Sequence, residues 1–167
     1  MAEAALSVPG IERVVFVPTG EPPHRSAGLA PAWVRYHLVQ RAIAGNPRFG
    51  VWDVELTTPG PHYTANTVAK LAQPQIPLII GQDALAALDS WKDPDVLKAR
   101  AVFLLAPREP ALPLPEGLTT IPLEMPLVGI SATDIRHRLS AGRSIHYLVP
   151  KAVADYLQWN DVYKSSM

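Results

Sequence analysis

Ile130-Ser131-Ala132-Thr133-Asp134-Ile135-Arg136 is the stretch whose residue types and spacing most suggest chemistry. A hydroxyl-rich turn, Ser131 to Thr133, follows an apolar run and opens a helical pattern that carries Arg136 on its first turn. Backbone N–H groups at a helix start, hydroxyl donors and a guanidinium then converge on one point, which suits a polyphosphate. The competing reading is an ordinary capped helix, because Ser or Thr before a helix is common. Spacing alone favours the cap, and the rest of the chain has to decide.

Composition narrows the field first. The chain has 167 residues, 48% of them hydrophobic and 18% charged, as expected for one globular domain spanning residues 1–167. Fifteen basic and fifteen acidic residues cancel, so no broad field favours nucleic acid or an anionic membrane, although a local basic cluster can still bind a small anion. The absence of cysteine excludes disulfides, thiolate metal sites and a cysteine nucleophile. No apolar run approaches the roughly 18 residues of a membrane span, and the first ten residues lack the basic and apolar regions of a signal peptide. The expected address is cytoplasmic.

The elements that must position the motif read as follows. A helix end at residues 2–6 precedes a short apolar strand at 13–17, closed by Pro18-Thr19-Gly20. Residues 20–30 form a Pro- and Gly-rich loop with His24 and Arg25 at its centre. Pro31 suits the first position of a helix to about Ala44, with Val34, Leu38, Val39, Ala42 and Ile43 on its buried face. A strand is expected at 49–56, then a helix capped by Thr64 or Asn66 and reaching Leu71. A buried strand at 77–80 leads through Gly81-Gln82-Asp83 into a helix at 84–88, with another at 94–98. Strands at 101–105 and 119–123 flank a loop at 107–116, and helices at 131–139 and 151–157 complete the chain.

Short apolar strands alternating with helices imply an α/β fold with a parallel sheet covered on both faces. Ligands in such sheets bind outside the carboxyl ends of the strands. Residues 22–25, 81–83, 108 and 131–136 all follow strands or near-strand segments, so a shared rim is expected.

At these residues the chain resembles bacterial nicotinate mononucleotide adenylyltransferases, of the nucleotidyltransferase superfamily of Rossmann-like folds. Five blocks carry the resemblance, in the family's order and spacing. They are Val17-Pro18 with Pro22-Pro23-His24-Arg25; Glu55-Leu56 through Gly60-Pro61-His62-Tyr63-Thr64 to Thr67; Ile79-Ile80-Gly81-Gln82-Asp83-Ala84 with Trp91; Glu124-Met125-Pro126 through Ile130 to Arg136; and Val149-Pro150 to Tyr156. Each block alone is weak, and five in register are strong. The resemblance implies an enzyme of NAD biosynthesis in which the mononucleotide phosphate attacks the α-phosphate of ATP and pyrophosphate leaves, with Mg²⁺ bound alongside ATP. Such chemistry rests on positioning and charge stabilisation.

Residue by residue, the resemblance implies that Ile130, Ser131, Thr133 and Arg136 hold ATP, with Ala132 where the family usually has a second serine. Gly81 and Asp83 are implied beside the nucleotides, and Arg108 as a further ATP contact. His24 and Arg25 are implied to approach the mononucleotide phosphate, with arginine where lysine is frequent. Trp91 is implied to stack on the pyridine ring, with Tyr63 and Thr64 bordering the nicotinate carboxylate. Without the resemblance, Trp91 reads as a half-buried packing residue and His24 as simply exposed. His37, His137 and His146 have no partner spacing, and Asp53, Glu55, Asp83 and Asp134 form no recognisable metal set.

One family element has no counterpart. The family opens with a strand, a glycine-rich turn and a helix start carrying His-x-Gly-His, which binds the ATP phosphates and stabilises the charge built up in transfer. None of the five histidines here occurs in that pattern, so no catalytic residue is identifiable. A wrong start codon or a fragment of an active enzyme, a truncated paralogue that binds nucleotide without transferring it, and a decayed gene product are the three readings. In-frame translation upstream of Met1 separates them. The expectation is that residues 1–167 alone lack turnover, with the family's first strand missing between the strands at 13–17 and 77–80, and self-association following.

Overall fold

Apolar runs become strands and amphipathic runs become helices through the described chain, residues 1–22 and 28–163 of a computed structural model. The order is α1 (Ala2–Ala5), β1 (Val14–Phe16), α2 (Ala32–Ile43), β2 (Phe49–Val51), α3 (Thr64–Ala69), β3 (Ile76–Gly81), α4 (Gln82–Ala86), α5 (Pro94–Arg100), β4 (Ala101–Ala106), β5 (Thr120–Pro122), α6 (Ala132–Ser140) and α7 (Lys151–Trp159). A 3-10 turn, Leu88–Ser90, lies between α4 and α5. Two compact units are built from these: Met1–Val14 with His62–Leu127, and Val15–Pro61 with Val128–Met167.

In the first unit, β3, β4 and β5 form a parallel sheet in that order. The central strand β4 is apolar throughout, and consecutive Phe103 and Leu104 are both buried, so both of its faces are covered. Pro77 lies exposed on β3, an edge strand of this sheet, where a residue without an N–H is tolerated. Ala65 and Val68 of α3, Leu85 of α4, Leu88 and Leu97 join Ile76, Ile80, Ala101 and Phe103 in one core cluster. Each fully buried leucine there contributes about 1.5–3 kcal/mol.

The second unit is held by helix packing. Ile135 and Leu139, one turn apart on α6, meet Ile145 and the Val153, Ala154 and Leu157 face of α7. Leu38 of α2 packs against this cluster, and the Arg41 guanidinium lies 4.4 Å from the centre of the Tyr156 ring, a cation–π contact joining α2 to α7. Strands β1 and β2 pair, and Phe16 meets Phe49 edge to face at 5.5 Å.

Several boundaries differ from expectation for local reasons. The strand expected at 49–56 stops at Val51, because Asp53 turns the chain: its carbonyl accepts from the Leu56 and Thr57 N–H groups. Pro31 is the N-cap of α2 rather than its first residue. No α2 residue is fully buried, and Ala42 is exposed. Thr64 is the first residue of α3, behind Tyr63 as N-cap, with no side-chain cap bond. The helix expected at 84–88 begins at Gln82 and gives way to the 3-10 turn.

Candidate functional site

Parallel register sets the geometry at the carboxyl ends of β3 and β4. Gly81 is aligned with Ala106, so the chain leaves both strands side by side, and Asp83 and Arg108, each two residues further on, form an ion pair. Both side chains are about half exposed and remain open to a third partner. Gly81 ends β3 as the N-cap of α4, at φ −78° and ψ 150°, a conformation any residue adopts. A Cβ added there meets no heavy atom within 4 Å. Neither backbone strain nor internal packing therefore requires glycine, and the lack of a side chain leaves this backbone open to close approach.

That observation gives a test. Gly81→Ala is expected to leave thermal stability unchanged or raised by about 0.4–1 kcal/mol, through the less flexible unfolded chain. ATP affinity is expected to fall about tenfold, the factor that about 1.4 kcal/mol of lost contact produces. Calorimetric titration beside a thermal unfolding scan measures both, and an unchanged affinity removes Gly81 from the site.

Trp91 follows the 3-10 turn, its N–H bonded to the Leu88 carbonyl at 2.9 Å, and it is partly buried against the core cluster. The packing reading therefore describes its present surroundings. The preceding turn is tied to α5 by Lys98, whose ammonium lies 2.7 Å from Asp89. The hydrogen bond from Lys98 to Asp89, with the nearby negative charge, holds that ammonium above the ordinary lysine value. Tyr63 and Thr64, both half-buried, stand at the head of α3, whose Ala65 and Val68 enter the cluster that Trp91 packs against.

In the second unit the motif at 130–136 forms a helix start. Ser131 is the N-cap of α6. Its Oγ accepts from the Asp134 N–H at 3.0 Å and donates to the Asp134 carboxylate at 2.6 Å, so its hydroxyl serves as the cap. The Ile135 N–H donates to the Ser131 carbonyl as the first intrahelical bond, which leaves the N–H groups of Ser131, Ala132 and Thr133 without intrahelical acceptors. Arg136 donates to Thr133 Oγ1 at 3.1 Å. Ile130 precedes this start and is 45% exposed. Backbone donors, a threonine hydroxyl and a guanidinium are thus assembled at one helix end, where the dipole also favours an anion.

His24 and Arg25 lie outside the described residues. The stems of their segment are described: Arg35 of α2 donates to the Gly20 and Ala30 carbonyls, each at 3.1 Å. Among the described residues no group of three or more His, Asp or Glu side chains forms a metal site, and no helix is long and apolar enough to cross a membrane. Two contributors escaped the sequence reading. Arg35 is given no role there, yet it ties the two stems of the 20–30 segment. Gln82 sits inside a quoted block without a role, yet it is buried and its Nε2 donates to the Leu112 carbonyl at 2.9 Å.

Comparison with known proteins gives the family and the fold. Residues 1–138 match the model of the cytidylyltransferase-like family. A Thermus thermophilus protein named probable nicotinate-nucleotide adenylyltransferase is 40% identical over 168 aligned residues, covering 98% of this chain and 89% of that protein. A Tropheryma whipplei protein of the same name is 36% identical, over 93% of this chain and 86% of its own length. Among solved structures, a Vibrio parahaemolyticus protein assigned by name to the nicotinate-nucleotide adenylyltransferases superposes with a TM-score of 0.64 over 93% of this chain and 80% of that one. Its 18% identity speaks for the fold, an α/β Rossmann-like nucleotidyltransferase fold. On these grounds the chain belongs to the cytidylyltransferase-like nucleotidyltransferases, in the family of the nicotinate-nucleotide adenylyltransferases.

Proposed function

We propose that this chain carries the substrate-binding machinery of an adenylyltransferase that joins ATP and nicotinate mononucleotide to give nicotinate adenine dinucleotide and pyrophosphate. Family membership supports the reaction class, and the donor set at the start of α6 is the observation that carries the ATP role. A mononucleotide phosphate oxygen forms a bond to the α-phosphorus of ATP as the bond from that phosphorus to the bridging oxygen breaks, and pyrophosphate leaves. No covalent enzyme intermediate is needed, so the protein acts by alignment and charge stabilisation.

In this reading the Ser131, Ala132 and Thr133 amides, the Thr133 hydroxyl and Arg136 face the ATP phosphates, with Ile130 beside them. Ser131 chiefly holds the helix start in shape. Gly81, Asp83 and Arg108 meet the nucleotides, Asp83 as an acceptor for a ribose hydroxyl. Trp91 stacks on the pyridine ring, Tyr63 and Thr64 border its carboxylate, and His24 and Arg25 approach the mononucleotide phosphate. Mg²⁺ bound with ATP would neutralise phosphate charge, while the Thr133 hydroxyl and the Arg136 guanidinium hold the phosphates. Residues 1–167 serve as one nucleotidyltransferase domain, working in the cytoplasm. A nucleotide-binding paralogue without transfer is the second reading, favoured by the lack of a His-x-Gly-His pattern in the sequence.

The discriminating measurement is titration of the chain with nicotinate mononucleotide and, separately, nicotinamide mononucleotide. The neutral amide cannot accept the donors that a carboxylate accepts, so the acid is expected to bind about tenfold or more tightly. Preference for the amide overturns the substrate assignment. Failure to bind either mononucleotide or ATP overturns both readings.

A further inference from the structure

We infer that Gln82 is a positioning residue: its buried amide fixes the segment after β4 and thereby presents Arg108 to nucleotide, so that ATP affinity depends on a side chain that does not itself meet ATP. The inference rests on the nucleotide role proposed for Arg108.

Between Ala106 and Thr120 the chain has no helix or strand. Pro107, Pro110, Pro113 and Pro115 lack N–H groups and cannot supply ladder bonds, so side chains must hold the segment. Leu114 and Leu118 pack against the first unit's core cluster. The polar ties come from adjacent residues at the start of α4: Asp83 pairs with Arg108, and Gln82 donates to the Leu112 carbonyl. These ties differ in strength. An exposed ion pair is a weak restraint, screened and flexible. Gln82 is buried, with Glu55 one of two buried polar or charged residues among the described ones, and loss of its bond leaves a desolvated polar group without a partner. The amide is therefore the fixed point, and the ion pair is free to rearrange when phosphate competes for Arg108.

The required chemistry is a neutral donor of glutamine length. Gln82→Glu keeps the shape but sets a carboxylate against a carbonyl oxygen, and Gln82→Leu keeps similar volume without a donor. Both variants, Arg108→Ala and the double variants are compared in the 167-residue chain by amide hydrogen exchange and by titration with ATP. In both Gln82 variants exchange at residues 108–118 is expected to accelerate about tenfold, the scale of one lost hydrogen bond, while exchange in β3 and β4 stays slow. ATP affinity falls about five- to tenfold in the same variants, with little further loss once Arg108 is alanine, as two residues acting through one path require. Should the Glu variant unfold the first unit, the Leu variant decides. Unchanged exchange at 108–118, or the same affinity loss with and without Arg108, overturns the inference. A wild-type chain that binds no ATP removes the nucleotide reading of Arg108 instead, and faster exchange confined to 108–118 in the Gln82 variants still assigns Gln82 its hold on the segment.

Discussion

Residues 1–167 assayed alone are expected to release no pyrophosphate from ATP and nicotinate mononucleotide. The chemical reason lies in the histidines. None of the five stands in a His-x-Gly-His pattern, and the four described ones are scattered: His37 is bonded to Gln40 at 2.9 Å, His62 precedes α3, His137 lies in α6, and His146 follows the buried Ile145. Without a pair aimed at the phosphates, transition-state charge goes unmet, and even one missing donor of this kind costs about 10²- to 10³-fold in rate. Strand pairing adds a second expectation. β1 and β3 each end a sheet with one edge unpaired among the described residues, a template for association with other chains. Light scattering is expected to show self-association that grows with concentration. The decisive experiment fuses a strand–turn–helix segment bearing His-x-Gly-His ahead of residue 1. Pyrophosphate release by the fusion, and none by residues 1–167, supports the assignment. Turnover by residues 1–167 alone would falsify it and give the phosphate role to another residue set.

Arg136→Ala carries the second large effect. Its guanidinium is half-buried and spends one donor on Thr133, leaving the rest of the fork for phosphate. In the active fusion, turnover is expected to fall by about 10²-fold or more, the scale for a charge-stabilising donor removed from a transition state. Arg136→Lys should recover only part, because a point charge replaces a bidentate fork. Folding is expected to survive, since α6 is anchored through the buried Ile135 and Leu139 and Arg136 itself is only half-buried. Full turnover in the alanine variant, with normal thermal unfolding, excludes Arg136 from the phosphate site.

Much of this was legible before any coordinates. The apolar runs around Ile80 and Leu104 mark strands because six consecutive apolar or small residues covered on both faces need no alternation. The helix start at Ser131 is legible from a hydroxyl residue standing before a helical pattern, and Ser131 is the cap observed. The five blocks named the family because their residue types stand together in the family's order and spacing.

What the tertiary structure decided are the long-range pairings. Asp83 and Arg108 stand far apart in sequence, and only the parallel register of Gly81 with Ala106 brings them together. Gln82 to Leu112, and Arg35 to Gly20 and Ala30, are bonds to backbone carbonyls, which every residue owns, so residue type at the acceptor carries no signal. The early end of β2 at Val51 is a local turn instead, closed on the Asp53 carbonyl, a backbone group whose residue type carries little signal. Local patterning writes elements and caps into the sequence because their partners lie within a turn or two. Partners brought in from tens of residues away are fixed by strand register and packing, which the sequence expresses only once it is folded.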